Sequence, residues 1–298
     1  MVSTTRVKLV AFDSMGVRSM ATIIESSAGL IFIDPGAALA PWRYNLPPHE
    51  VELKTLREFL EEIYRYMREA DYVVITHYHR DHYLYRSGEE EYYSGKTLFI
   101  KHPTNMINRS QYVRAYVLLK KMNVENKAKH VLYADNSVIN IDGVKIEFSK
   151  PLPHGECNSK LGWVITANII EDGEVVSFAS DTQGCMCREC LDYIHRVSPD
   201  LLIISGPPVY LGLKDIPLNT VKLVESMKPG STIIIDHHFL REKNYIEYME
   251  KLRRIRSDVR VVTAAEYMHR EIKQLEAYRD QLWRVQSKPR VLDEIEEE

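Results

Sequence analysis

Three histidines and an aspartate fall within six residues, His77-Tyr78-His79-Arg80-Asp81-His82, directly after the apolar run Tyr72–Thr76. A strand that ends this way leaves its imidazoles at a sheet edge, where every ring nitrogen needs a partner. Residues i and i+2 of an extended segment project to one side, so His77 and His79 point to one place. The tight turn that follows swings Asp81 and His82 toward a second place nearby. Two imidazoles at one point, with a carboxylate and an imidazole at the next, suit two borderline metal ions such as zinc. Without metal, four polar groups would have to find hydrogen-bond partners at once.

The chain around this cluster alternates short strands with helices. Val7–Phe12, Met20–Glu25 and Leu30–Asp34 read as strands, the last stopped by Asp34-Pro35-Gly36. After a proline-rich loop (Pro41, Pro47, Pro48), Leu53, Leu56, Leu60, Ile63 and Met67 recur at spacings of three and four, which predicts an amphipathic helix. Thr97–Lys101 is a further strand and Ser110–Lys121 is helical. Asp142-Gly143 and Asp172-Gly173 each sit between β-rich runs and predict two hairpins, Ser137–Ile141 with Val144–Phe148 and Val164–Ile170 with Val175–Ala179. Leu201–Ser205 and Thr232–Ile235 are buried strands. Thr263-Ala-Ala-Glu266 is a capping box, predicted to open a last amphipathic helix with Met268, Ile272, Leu275 and Leu282 on one stripe. Asp293–Glu298 is an acidic tail. The same plan occurs twice, in halves 1–128 and 129–298, and two such halves can pack sheet on sheet under helices as one domain.

Composition narrows the class. Of 298 residues, 45% are apolar and 27% charged, enough for a sizeable core and unlike a disordered or collagen-like chain. The net charge of −3 argues against nucleic acid held by a broad basic surface. No uninterrupted apolar run approaches the ~20 residues of a membrane span. Met1 to Val10 lacks a signal-peptide layout, so the expectation is a cytoplasmic protein. Few glutamines beside many Glu, Lys and Arg lean toward a thermophile.

The His77–His82 run resembles the signature of the metallo-β-lactamase superfamily. The rest of that superfamily's ligand order is matched by Asp34 in Asp-Pro-Gly, His154 in Pro-His-Gly, Asp181 in Ser-Asp-Thr, and a final strand-end histidine, His237 or His238. The pattern spans residues 30 to 238. The wording Gly16-Val17-Arg18-Ser19-Met20-Ala21, Asp34-Pro35-Gly36 and Asp236-His237-His238 further resembles an archaeal group of metallo-hydrolase-like proteins.

The resemblance implies an α+β fold, a four-layer αββα sandwich. It implies that His77, His79 and His154 hold a first metal, that Asp81, His82 and His237 (alternatively His238) hold a second, and that Asp181 bridges the two. Asp34 would stand behind them and orient a ligand. His237 follows Asp236 where the superfamily places its ligand and is favoured. His238, pointing to the opposite face of an extended strand, would then be a supporting or substrate contact. The remaining histidines, His49, His102, His130, His195 and His269, have no partner spacing. Arg18, Arg43 and Arg109 lie in loops where they could bind an anion or simply be solvated.

Four cysteines remain. Cys157 lies three residues after His154, and Cys185 four after Asp181. Convergence of those two ligands would bring Cys157 within bridging reach of Cys185 or Cys187. A disulfide is the first reading, as in intracellular proteins of hyperthermophiles. An extra metal site at Cys185-x-Cys187-x-x-Cys190 is the second, and free thiols are the third.

The implied cofactors are two divalent ions, Zn2+ before Mn2+ or Fe. The implied function is a hydrolase in which a hydroxide between the metals attacks a small ester, lactone, thioester or phosphodiester, with Asp81 and Asp181 as the carboxylates of the reaction. A nuclease acting on RNA or DNA is the alternative within that class. A non-catalytic metal-stabilised binding protein is the alternative outside it, and a diiron oxygen-reducing enzyme is less expected, because such relatives replace a motif histidine by a carboxylate.

Overall fold

The computed structural model describes residues 6–285; the acidic tail lies outside the described residues. The first sheet holds six strands in chain order: β1 (Arg6–Phe12), β2 (Met20–Ser26), β3 (Gly29–Ile33), β4 (Tyr72–Ile75), β5 (Thr97–Ile100) and β6 (His130–Tyr133). β1 to β3 run antiparallel and β3 to β6 parallel. The second sheet begins with the hairpin β7 (Val138–Ile141) and β8 (Val144–Phe148). A two-stranded ribbon, β9 (Leu152–Pro153) with β10 (Trp163–Val164), stands apart from it. It continues with β11 (Ala167–Glu171) and β12 (Glu174–Phe178), then adds β13 (Leu201–Ser205), β14 (Thr232–Asp236) and β15 (Arg260–Val262) in parallel. Both Asp-Gly turns have positive φ at each central residue, +46° and +90° at Asp142-Gly143, +48° and +83° at Asp172-Gly173, which is why these pairs close two-residue hairpins.

The apolar pattern sets the layers. Val74 of β4 and Ile234 of β14 face the inter-sheet core with Phe99, Ile146, Phe148 and Ile203. Their chain neighbours Val73, Ile75, Ile233 and Ile235 point outward under helices. Strands covered on both faces read as continuous apolar runs, as these do. Helix α1 (Glu50–Glu69) covers the first sheet through Leu60, Ile63 and Met67. Beside it runs α2 (Arg109–Tyr116), continued by one π-helical turn over Val117–Lys121, and the short α3 (Val124–Lys127). On the second sheet lie α4 (Arg188–Val197), α5 (Leu218–Ser226) and α6 (Tyr245–Arg253). The result is the expected α+β sandwich of four layers.

Two expectations need correction. The sheets do not divide at 128/129: β6 pairs with β5, so the change of sheet falls between Tyr133 and Val138. β6 is short and largely exposed, which hid its strand pattern. Nor does the Thr263 capping box open a long helix. It caps one turn, α7 (Ala264–Tyr267), with the reciprocal Thr263–Glu266 bonds in place. His269 then adopts φ +53° and ends the helix. Ile272 still packs into the core, but the backbone is held by other elements: Lys273 N–H donates to Ser14 O, and Gln274 Nε2 to Leu240 O and Glu242 O.

This C-terminal segment crosses back to the first sheet and ends in α8 (Arg279–Val285). There Arg279 and Glu52, both fully buried, form a two-pronged ion pair, Nη2 to Oε1 at 2.8 Å and Nε to Oε2 at 2.9 Å. Glu52 also accepts from His49 N–H at the head of α1, so one carboxylate joins the helix cap to the C-terminal strap. Removing one partner leaves an unpaired buried charge. Arg279→Ala is expected to lower the unfolding free energy by about 3–5 kcal/mol in urea titrations, whereas Glu52→Leu/Arg279→Leu together should lose much less.

Candidate metal centre

Five strands deliver their carboxyl ends to one place between the sheets. Asp13 follows β1, Asp34 follows β3, His77 follows β4, Asp181 lies just past β12, and His237 follows β14. Clefts of this kind form outside the carboxyl ends of parallel strands. Asp34, Ser180 and His237 all have positive φ, +48°, +49° and +54°, a strained conformation that folded proteins keep mainly at working sites. Gly36 is needed for closeness instead: a Cβ there would lie 2.2 Å from the backbone nitrogen of Tyr83.

At the centre is the carboxylate of Asp181. His154 Nε2 lies 3.0 Å from its Oδ2, His238 Nε2 3.3 Å, His82 Nε2 3.4 Å and His77 Nε2 3.7 Å, while His237 Nε2 is 3.5 Å from Oδ1. Donor atoms of His77, His79, His154 and Asp181 lie within 4.8 Å of one another, and so do those of Asp81, His82 and His237. His77 Nε2, His82 Nε2, both nitrogens of His154 and Asp181 Oδ1 are buried without a hydrogen-bond partner. Native interiors rarely leave such atoms unsatisfied. A donor set of imidazoles and carboxylates, inward-facing and unsatisfied, fits divalent cations.

The far sides of these rings are held in place. Asp34 accepts from Thr76 N–H at 2.8 Å and Thr76 Oγ1 at 2.6 Å, and its Oδ2 lies 2.8 Å from His82 Nδ1. Asp13 does the same for His237, with Oδ2 2.6 Å from Nδ1, and its other oxygen accepts from Arg241 Nε at 2.7 Å. Both arrangements turn Nε2 inward. Burial raises Asp13, but Arg241 and His237 outweigh it and hold the carboxyl well below its usual range. Burial likewise raises Asp81 and Asp181, and the surrounding imidazoles override it, so both remain anionic. Burial pulls His77 and His79 down to neutral rings. On His82 and His237 it is outweighed by Asp181 with Asp34 and by Asp13 with Asp181, which pushes His237 up to about 9.

The histidine pair departs from the sequence reading. His237 and His238 do not alternate across a strand; they open a short 3-10 turn, and both Nε2 atoms face Asp181. His237 also approaches Asp81, at 3.5 Å, and belongs with the Asp81–His82 group. His238 has its Nδ1 2.9 Å from Arg241 Nη1. Since a guanidinium only donates, His238 carries its proton on Nε2.

The loop arginines are engaged elsewhere. Arg18 grips Glu276 with two bonds of 2.6 and 2.7 Å, Arg43 donates to Arg241 O and lies over the rings of Tyr44 and Tyr210, and Arg109 is exposed at the start of α2. Cys157 bonds Cys187 with Cα atoms 4.8 Å apart, tying the His154 loop to the Asp181 loop, and Cys185 bonds Cys190. Asp13, Thr76, Ser180 and Arg241 were not anticipated. Asp13 carried one signal, a polar residue directly after a strand, and Arg241 stands four residues after His237.

No family model matches the chain. A UPF0282 protein of Thermococcus kodakarensis is 43% identical over 301 residues, 94% of this chain and 96% of that one. A second, from Aeropyrum pernix, is 41% identical over 293 residues, 94% and 98% of the two chains. The chain belongs to the UPF0282 family. Among solved structures, the metallo-beta-lactamase fold protein YhfI from Bacillus subtilis superposes on this UPF0282 chain with a TM-score of 0.52 at 13% identity, covering 88% of this chain and 98% of that one. Unliganded yeast PDE1 gives 0.53 at 12%, covering 87% and 97%. The UPF0282 chain therefore has the metallo-β-lactamase fold, with its candidate metal-binding residues gathered at one cleft. No helix among the described residues is long and apolar enough to cross a membrane. Asp34→Ala, which frees the His82 ring, is expected to weaken cation binding by about 10- to 100-fold in chelator competition, with the fold retained by circular dichroism.

Proposed function

We propose that this UPF0282 chain is a metal-dependent hydrolase with a dinuclear centre, zinc being the first candidate and manganese or iron the alternatives. His77, His79 and His154 would hold one ion, Asp81, His82 and His237 the other, and Asp181 would touch both. The observation that carries this reading is the Asp181 carboxylate, which lies between the two ligand groups: its Oδ2 faces His154 and His77 and also His82 and His238, and its Oδ1 faces His237. A single anion placed between two sets of inward-facing nitrogens is what two neighbouring dications require, and it limits their mutual repulsion.

Bound there, two dications supply a water whose pKa falls from about 16 toward 7, together with positive charge for the oxygen that is attacked or expelled. The chain's own groups do the rest. His77, His82, Asp181 and His237 are fully buried and exclude bulk water, while His79 and Asp81 are only half-buried, so a substrate approaches from their side. Asp81, kept anionic by its neighbours and partly open to solvent, can accept a hydrogen bond from the attacking water and orient it. His238, its proton fixed on Nε2 by Arg241, donates a hydrogen bond into the same space. These are the requirements of attack on a carbonyl or phosphoryl centre, and the substrate class we assign is a small ester, lactone, thioester or phosphodiester.

The test combines elemental analysis with a panel of those four substrate types. Asp181→Asn keeps the size and removes the shared charge. It is expected to lower second-ion occupancy and to reduce turnover at least about 100-fold, the upper end of what outer supporting groups cost, since a shared ligand should matter more. Two ions per chain with unaltered turnover in this variant would remove the role given to Asp181.

A further inference from the structure

Cys185-Met186-Cys187-Arg188-Glu189-Cys190 and Cys157 take no part in the centre described above, yet two disulfides join all four cysteines where the His154 and Asp181 loops meet. The bonds are interleaved. Cys157 pairs with Cys187, and Cys185, two residues before Cys187, pairs with Cys190. Cys190 N–H donates to Cys187 O at 3.1 Å, closing that turn, and the paired Cα atoms are only 4.8 and 5.0 Å apart. Cys185, Cys187 and Cys190 thus share one turn, and the bond to Cys187 brings Cys157 to it.

We propose that in the reduced chain these four cysteines form a separate metal site, a tetrathiolate cage for one zinc ion. Four cysteines from two short segments make the closed tetrahedral donor set of a structural zinc site, with sulfurs about 2.3 Å from the ion. Thiolates select zinc over the hard cations that carboxylates prefer. Cys185, Cys187 and Cys190 are fully buried, and Cys185 and Cys190 belong to one apolar cluster with Ala179, Leu191, Ile194 and Leu223, so competing water is kept out. The segment that carries three of the four donors is held at Gly184 and Met186 before any ion arrives. Gly184 N–H donates to Ser205 O at 2.7 Å, Thr220 Oγ1 to Gly184 O at 2.8 Å, and Asn219 Nδ2 to Met186 O at 2.9 Å.

The cage would carry excess negative charge, and the fold provides for it. Cys187 is the N-cap residue of the ten-residue α4, and no side chain caps that end. Cys187 thus stands at the positive pole of α4 with the first-turn amides uncapped by any side chain, a position that favours a thiolate. Cys157, by contrast, is exposed on the His154 loop, which leaves a route for a reductant and for the ion.

The exchange balances with a dithiol as reductant. Two disulfides and two dithiols give four cysteine thiols and two oxidised dithiols. Zinc then takes the four thiols as thiolates and releases four protons. The same four residues thus staple the His154 and Asp181 loops in either redox state, by sulfur–sulfur bonds or by sulfur–zinc bonds.

The experiment uses the full chain, once oxidised and once reduced anaerobically with a dithiol, each dialysed against zinc and analysed for metal and for free thiols after denaturation. The reduced chain is expected to hold one more zinc than the oxidised chain. Cobalt in place of zinc should give intense thiolate-to-cobalt absorption only after reduction. The centre of imidazoles and carboxylates has no thiolate, so this band reports the cysteine site whether or not the dinuclear reading holds. Cys157→Ser should weaken uptake of the extra ion by at least about tenfold and keep the fold, because its site is a surface loop. Four titratable thiols with no additional zinc and no thiolate–cobalt band would overturn the proposal, as would an iron–sulfur chromophore in the protein as isolated.

Discussion

One carboxylate faces five imidazoles. Asp181 has ring nitrogens of His77, His82, His154, His237 and His238 within 4.0 Å, in a cleft from which bulk water is largely removed. Buried charge is tolerated only when it is paired, and the surrounding residues can be read as answers to that requirement. Asp34 and Asp13 each take the outer nitrogen of one ring, and Arg241 in turn neutralises Asp13. The inner nitrogens of His77, His82 and His154 remain unsatisfied, and each lies within 4.0 Å of the Asp181 carboxylate. The outer groups determine where the inner ones aim.

The sandwich supplies the rigidity this needs. His77, His79, Asp81, His82, Asp181 and His237 each stand within a few residues of a strand paired on both sides, and His154 directly follows the short β9, paired with β10, so the bases of these loops are fixed. Asp236, at the end of β14, accepts from Ser14, His237 and Ala264 N–H groups and so ties the loop after β1 to the loop after β14. The positive φ values at Asp34, Ser180 and His237 carry a local conformational cost that the paired strands on either side make tolerable.

Much of this was legible in the sequence. Strands buried on both faces announce themselves as apolar runs, and the Asp-Gly turns fix two hairpins without reference to anything distant. The His77–His82 run was legible because its members share one strand end. What escaped was whatever depends on contacts remote in the chain. Asp13 reaches His237 across 224 residues, and its place directly after a strand does not by itself identify that partner. The stripe Met268, Ile272, Leu275 and Leu282 has helical spacing, yet side-chain and backbone bonds from Ser14 and Gln274 hold that segment in another shape. β6 gave no alternation because it lies at an edge with most of its residues in water. The His237–His238 geometry failed for a related reason: extended alternation does not survive a residue at φ +54°.

The Glu52–Arg279 pair also bears on how the molecule is made. Its partners are 227 residues apart. At the usual synthesis rate of about 5–20 residues per second, Glu52 is joined to the chain roughly 10 to 45 seconds before Arg279. Throughout that interval the cap of α1 has a carboxylate without its guanidinium, and the Pro47–His49 loop has nothing to close over. Asp13 waits similarly for His237 and Arg241. The cleft and the cap of α1 thus each join an early segment of the chain to a late one, and neither closes until the late one has been made. A chain stalled before residue 279 would carry Glu52 without its guanidinium and the cap of α1 without its tie to the later segment.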